Sequence, residues 1–431
     1  MLSYCVKITL LTLCFGYVFA IDENYTFKDF PQEKLRPLTA AYGLALENYV
    51  AKNWTEAITH LETCLRLYRL FRDSVRYCSL HCNRSRIEEP PITLTKDLKV
   101  YWSLMTKASC QRKCRERFPV LQLPPPGKTV LEDFNKRRPY KYLHFAHSMV
   151  QDLQSAIPCA FTYLQRNPED KELQKLMDEY KTKYNLTGFL IDYEERPYEP
   201  YFLKGVKLVN SEDYNLSIDQ LEKALKLYLN EFELCQYECE GVSHIPPDQD
   251  LYATITDVYV EILKCKLNCE ENLKPNVGGF FVENLLSTIY HYLQYAYYKL
   301  NNGHNAVQCA HSYFLFEPED QVMKQNLVYY ETISEQWGLQ SEDFTPRQEA
   351  LRHYNQTVAQ KHILTFTEKY MKMDDEDFFG AEEAAALADE SPDVEFEGIG
   401  DYEESFLAKW RQAKGKGDTG ETDLRTRRGL N

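Results

Sequence analysis

The sequence predicts an all-α fold, a duplicated tetratricopeptide-like helical solenoid with disulfide-stapled hairpins, and three observations predict it. The stretch "YKYLHFAHSMVQDLQSAIPCAFTYLQRNPED" (140–170) aligns without a gap on "YHYLQYAYYKLNNGHNAVQCAHSYFLFEPED" (290–320). Upstream, "WTEAITHLETCLRLY" (54–68) matches "YNLSIDQLEKALKLY" (214–228). Between those blocks each half carries two C-x-x-x-C pairs, CSLHC and CQRKC in the first, CQYEC and CKLNC in the second. Repeated helix pairs cannot bury their apolar faces alone and stack on their neighbours. The duplication divides the chain into a first half at 21–185 and a second at 186–373.

The chain opens MLSYCVKITLLTLCFGYVFA, one early lysine followed by an apolar run from Ile8 to Phe19. Residues 1–20 read as a secretory signal, since the run is too short for a comfortable membrane span. No later segment reaches 18 uninterrupted apolar residues, so a membrane span is not expected. Loss of the signal removes Cys5 and Cys14 of the 13 cysteines and leaves the rest in an oxidising compartment. Six Asn-x-Ser/Thr triplets agree with that route, at Asn24, Asn53, Asn83, Asn185, Asn215 and Asn355.

Helix pairs follow. In "LTAAYGLALENYVAKNWTEAITHLETCLRLY" (38–68), small Ala41, Gly43 and Ala45 let a first helix approach a second, with a short turn at Lys52-Asn53. Trp54, Ala57, Ile58, Leu61, Leu65 and Tyr68 then recur at helical spacing as an apolar stripe. Ala156, Cys159, Ala160 and Tyr163 repeat that pattern, and Pro168 ends it. Most of the 32 tyrosines go into such stripes as packing. The cluster Tyr290, Tyr292, Tyr295, Tyr297 and Tyr298 is the place to look for partner or peptide contact, because tyrosine offers a rigid apolar body with a polar tip.

The cysteines come next. A C-x-x-x-C pair on one helix sets its β-carbons about 5–6 Å apart, whereas a disulfide wants about 3.5–4.5 Å. Such a pair should not close on itself, but two antiparallel helices carrying one pair each can be stapled twice. That predicts Cys78–Cys114 with Cys82–Cys110, and Cys235–Cys269 with Cys239–Cys265, the second helix of each hairpin starting after a double proline (Pro90-Pro91, Pro246-Pro247). Structural zinc would want C-x-x-C knuckles, and a thioredoxin-type site C-x-x-C at a helix start; neither spacing is present here. Cys64, Cys159 and Cys309 remain, an odd number, so at least one thiol is free or intermolecular.

Nothing marks a catalytic centre or a cofactor. There is no HExxH, GxGxxG or GxSxG, and the GKT of "PPPGKT" (124–129) lacks the upstream glycine of a phosphate loop. The one His-x-Glu, His60-Leu-Glu62, falls inside a repeat helix and reads as surface polar residues. The net charge of −15 argues against a nucleic-acid footprint. Much of that charge is local: 374–404 holds fourteen acidic residues and no basic ones, and 405–431 seven basic and three acidic. Such a tail, 374–431, is expected to be disordered and solvating.

The segments "FKDFPQEKLRPLTAAYGLAL", "LRLYRLFRDS", "CEENLKPNVGGFFVENLLSTIYHYLQYAYYKL", "VMKQNLVYY" and "WGLQSEDFTPRQEA", with the four C-x-x-x-C blocks, resemble the leprecan family over about 25–370. That family contains the prolyl 3-hydroxylases and cartilage-associated protein. Its hydroxylases append a 2-oxoglutarate/iron dioxygenase domain, and the roughly 60 polar residues after Met371 are too few to build one. The resemblance therefore implies a non-catalytic member: a scaffold in the endoplasmic reticulum lumen supporting lysyl and prolyl 3-hydroxylation of procollagen chains. It implies a prolyl 3-hydroxylase, a lysyl hydroxylase and a cyclophilin as partners. A helper of prolyl 3-hydroxylation like cartilage-associated protein, or a thiol-active lumenal chaperone, are the other readings.

Overall fold

The computed structural model describes Phe30, Glu33 and residues 35–84, 95–186, 188–240 and 251–370. Among them are sixteen α-helices and one two-stranded hairpin. The signal region, both double prolines, Asn24 and the acidic tail lie outside the described residues. Contacts cluster into one unit up to Leu364 and a second from Thr365 onward.

In the first half α1 (Leu38–Val50) and α2 (Trp54–Arg84) form a pair, followed by α3 (Lys96–Arg115), α4 (Lys128–Asn135), the pair α5 (Arg138–Met149) and α6 (Leu153–Arg166), and α7 (Lys171–Lys183). The second half repeats the plan with α8 (Glu199–Asn210), α9 (Tyr214–Glu238), α10 (Leu251–Leu267), α11 (Cys269–Asn272), α12 (Leu285–Lys299), α13 (Gly303–Phe316) and α14 (Gln321–Thr332). It ends with α15 (Ser334–Trp337) and α16 (Gln348–Tyr370). The strands β1 (Asn276–Val277) and β2 (Phe280–Phe281) turn tightly at Gly278 and Gly279, both at positive φ.

One turn is used four times. Lys52, Gln151, Glu212 and Asn301 sit in the left-handed region with φ between 56° and 63°, each between the two helices of a pair. The next residue's amide reaches five residues back, Asn53 to Asn48 O, Asp152 to His147 O, Asp213 to Leu208 O and Asn302 to Tyr297 O. This pattern ends one helix, as in the Schellman motif. The same residue then caps the next helix: Asp152, Asp213 and Asn302 accept from the amides of Ser155, Leu216 and Asn305.

Within each half α2 packs on α5, and α9 on α12, in the same relation. The apolar stripes supply the cores: Tyr42, Leu61, Tyr140 and Ile157 in the first half, Tyr198, Leu221, Tyr290 and Leu293 in the second. The second half has a close helix crossing, where a Cβ on Gly205 would lie 2.6 Å from Leu221 Cγ. Ala45, buried, holds the equivalent place in the first half.

The halves meet through α2 and α9. Arg76 reaches across that contact to Glu238 at 2.8 Å, and Glu240 bridges Lys107 at 2.5 Å and Lys266 at 2.6 Å, one from each cysteine hairpin. The segment after α7 begins the second half by sequence. By packing it belongs with the first, because Leu186 is part of the first core and Phe189 lies against it.

Candidate functional site

Four disulfides staple the hairpins: Cys78–Cys114, Cys82–Cys110, Cys235–Cys269 and Cys239–Cys265, with Cα separations of 5.6, 5.6, 6.0 and 5.7 Å. Those distances lie within the range a relaxed bridge spans. The sulfurs of Cys235, Cys239 and Cys269 lie close enough to suggest a metal cluster. All three are consumed in bridges, so none is a thiolate able to bind zinc. Cys64, Cys159 and Cys309 are unpaired and buried, and burial pushes each thiol up to about 12. A thiol held neutral in this way is a poor nucleophile.

Between the halves lies a cavity of about 620 Å³, within the usual size of a small-molecule site. Its walls are α2, α4, α9, α10, the end of α6, the stretch from Asp192 to Glu199 and the segment running from Asn272 to Phe281. Apolar Phe71, Val75, Leu131, Val258, Ile262 and Phe281 form part of the lining. The rest is strongly charged, and most charges there have partners. Arg76 pairs with Glu238, and Arg137 with Asp192 at 2.9 Å. Arg72 is held by Asp73 at 3.2 Å and Glu194 at 3.8 Å.

In each half, ion pairs tie the chain that follows back onto the repeat helices. In the first, Glu194 accepts from Arg69 at 2.7 Å and from Tyr140 at 2.8 Å. Its carboxyl is held below the usual range by Arg69 and Arg72, which outweigh its burial. In the second, Arg347 donates to Glu222 at 2.8 Å, and Tyr297 donates to the same carboxylate at 2.8 Å. There α16 inserts His353 against Phe232 and Phe316, with ring centroids 4.3 and 5.9 Å away. Burial pushes that imidazole down to about 4.

The tyrosine cluster does not form one surface. Tyr290 is fully buried, Tyr297 is committed to Glu222, Tyr292 and Tyr298 are half-buried, and only Tyr295 is exposed. The physical reason is helical periodicity: 290 and 297 are seven residues apart and face the core together, while 295 points away. Exposed apolar residues occur at many places, Val50, Phe280 and Val322 among them, and two runs at helical spacing lie on the second helices of the stapled hairpins. Leu98, Tyr101 and Met105 follow one another on α3, and Tyr252, Ile255 and Tyr259 on α10. Their signal was present in the sequence as apolar residues at i, i+3 and i+7.

Asn53, Asn83, Asn185, Asn215 and Asn355 are all exposed. Asn215 and Asn355 lie inside helices, and the Ser217 of the Asn215 triplet is buried, donating to Gly205 O at 3.0 Å. His60 stands 3.8 Å from Glu56 on the surface of α2, while Glu62 is exposed.

The model of the leprecan family TPR-like repeat region matches residues 37–334. The chain belongs to the leprecan family. It is 42% identical over 432 residues to Endoplasmic reticulum protein SC65 of Rattus norvegicus, covering 96% of this chain and 97% of that protein. Cartilage-associated protein of Mus musculus is 40% identical over 356 residues, 82% of this chain and 89% of that protein. Prolyl 3-hydroxylase 2 of Gallus gallus is 32% identical over 339 residues, 77% of this chain but 49% of that enzyme. The family match is thus to the repeat region, and no helix among the described residues is long and apolar enough to cross a membrane.

Proposed function

We propose that the chain is a non-catalytic scaffold of the endoplasmic reticulum lumen. It docks collagen-modifying enzymes and supports lysyl and prolyl 3-hydroxylation of procollagen chains. Its partners in this reading are a prolyl 3-hydroxylase-family enzyme, a lysyl hydroxylase and a cyclophilin, with procollagen engaged through them. The observation that carries the reading is the end-to-end match to relatives of nearly equal length, one of them named as an endoplasmic reticulum protein. The matched family model is the repeat region, and the match to prolyl 3-hydroxylase 2 spans 49% of that enzyme, which supports shared repeat architecture with the proposed partner's family rather than a shared active site.

The four bridges fix two hairpins whose exposed apolar faces on α3 and α10 are the docking surfaces this reading favours, in place of the tyrosine cluster. Asn53 and Asn185 are the triplets best placed for glycan attachment, being exposed and outside helix interiors. A thiol-active chaperone draws little support from three buried thiols with raised pKa values.

The test is to remove the protein from collagen-secreting cells and quantify hydroxylysine and 3-hydroxyproline in secreted collagen by peptide mass spectrometry. Loss of hydroxylysine at specific sites supports the reading. Loss of 3-hydroxyproline alone favours a role like that of cartilage-associated protein, and unchanged collagen rejects both.

A further inference from the structure

The central cavity holds two guanidinium groups, Arg166 and Arg196, with no carboxylate in direct ion-pair contact among the described residues. Arg166, at the end of α6, donates to Asn272 Oδ1 at 2.8 Å and to Glu271 O at 3.5 Å. Arg196 donates to Asn272 O at 2.8 Å. Neither has a carboxylate oxygen within ion-pair distance among the described residues, although each of the other arginines lining the cavity has one. Burial, and then the neighbouring Arg196 and Arg137, hold the Arg166 pKa below the ordinary arginine value, outweighing the opposing pull of Glu271. Three guanidiniums converging in a chain of net charge −15 are unusual enough to need an occupant or a cost.

Other charged groups face the same space. Asp192 and Glu238 are engaged by Arg137 and Arg76, Glu261 lies 3.9 Å from Lys128, and Lys274 is held by Glu271 and Glu283. Glu199 is the remaining acid, and burial raises its carboxyl to about 7, so near neutrality much of it is uncharged.

We infer that this cavity is a binding site for a small organic anion, a carboxylate or phosphate borne on an apolar body. The anionic head would lie between Arg166 and Arg196, whose planar forks suit such oxygens. The apolar body would lie against Leu131, Val258, Ile262 and Phe281. The site is built from both halves, since Arg166 comes from α6 and Ile262 from α10, so occupancy would tie them together.

The experiment is isothermal titration of the full chain with 2-naphthoate, 2-naphthyl phosphate and neutral 2-naphthamide. It is repeated on Arg166→Gln/Arg196→Gln and on Val258→Trp, which fills the cavity and keeps both arginines. Acetyl-Leu-Phe with a free or an amidated C-terminus distinguishes a peptide terminus from a free metabolite as the source of the carboxylate. The inference expects both anions to bind at least tenfold more tightly than the amide, with that preference lost in the double variant and all binding weakened in Val258→Trp. For 2-naphthoate, which stays ionised throughout, it also expects tighter binding at pH 6 than at pH 8, as Glu199 takes up its proton. Equal binding of the amide, or anion binding unchanged in both variants while circular dichroism shows each folded, would overturn it.

Discussion

The two halves share helix pairs, turns and staples, yet the chain that follows each is tied back by charges of opposite sign. In the first half the following segment brings acids: Asp192 onto Arg137, and Glu194 onto Arg69 and Arg72. In the second it brings a base, Arg347, onto Glu222. The two halves share the elements that stack and differ in the charges that lock them. The halves should therefore open independently, and by different chemistry.

The largest test removes a lock. Both locks are partly buried, with Arg69 37% and Glu222 35% exposed, so breaking one should cost about 1–3 kcal/mol, between a surface pair and the larger penalty of a fully buried one. Glu194→Gln leaves Arg69 without its carboxylate while Arg72 keeps Asp73, and hydrogen exchange should lose protection in α2 and α5 before α9 and α12. Arg347→Gln should invert that order. Loss of protection spread equally over both halves in each variant would break the comparison.

Acid comes next. His353 is neutral in the fold with a pKa near 4, against about 6.5 when unfolded, so its contribution is complete above pH 6.5 and lost as the pH falls toward 4. Glu270, at 3.6 Å the one carboxylate paired with it among the described residues, is itself raised by burial and gives little relief. Denaturant unfolding from pH 7 to pH 4.5 should show about 2 kcal/mol less acid sensitivity in His353→Leu than in the parent. Equal slopes in the two proteins would count against this account of α16.

A smaller contrast lies at the helix crossings. Gly205→Ala drives a Cβ toward Leu221 and should cost about 1–3 kcal/mol. The mirror change, Ala45→Gly, should cost only about 1 kcal/mol, the helix penalty of glycine. Thermal unfolding of the two variants measures the asymmetry, and equal losses would mean that the crossings are equally tight.

The smallest effect concerns the shared turn. Glycine at Lys52, Gln151 or Glu212 relieves a left-handed conformation and should stabilise by a few tenths to about 1 kcal/mol, net of backbone entropy. At Asn301 the gain should be least, since asparagine tolerates that region.

The helix pairs and the spacing of the cysteine blocks were legible in the sequence because both are local. Apolar periodicity, the Lys52-Asn53 turn and C-x-x-x-C spacing each need only a few consecutive residues. The locks and the cavity were not legible. Arg166 meets Asn272, and Arg76 meets Glu238, across more than a hundred residues, and no periodicity links them. The tyrosine cluster misled for the opposite reason. Density along the chain at 290–298 is not density on one face, and Tyr290 and Tyr297 turn inward where Tyr295 does not. The exposed stripes of α3 and α10 could have been read, but apolar residues at helical spacing usually signal core.

The central claim is that this repeat chain works as a docking partner of hydroxylating enzymes. Its most direct test is affinity purification of the tagged protein from solubilised endoplasmic reticulum of collagen-secreting cells, with partners identified by mass spectrometry. A companion variant carries Tyr101→Glu and Tyr259→Glu on the two exposed hairpin faces. The account predicts recovery of a prolyl 3-hydroxylase together with a lysyl hydroxylase, and their loss from the variant. Recovery of neither enzyme, under conditions that keep a known complex intact, would contradict it.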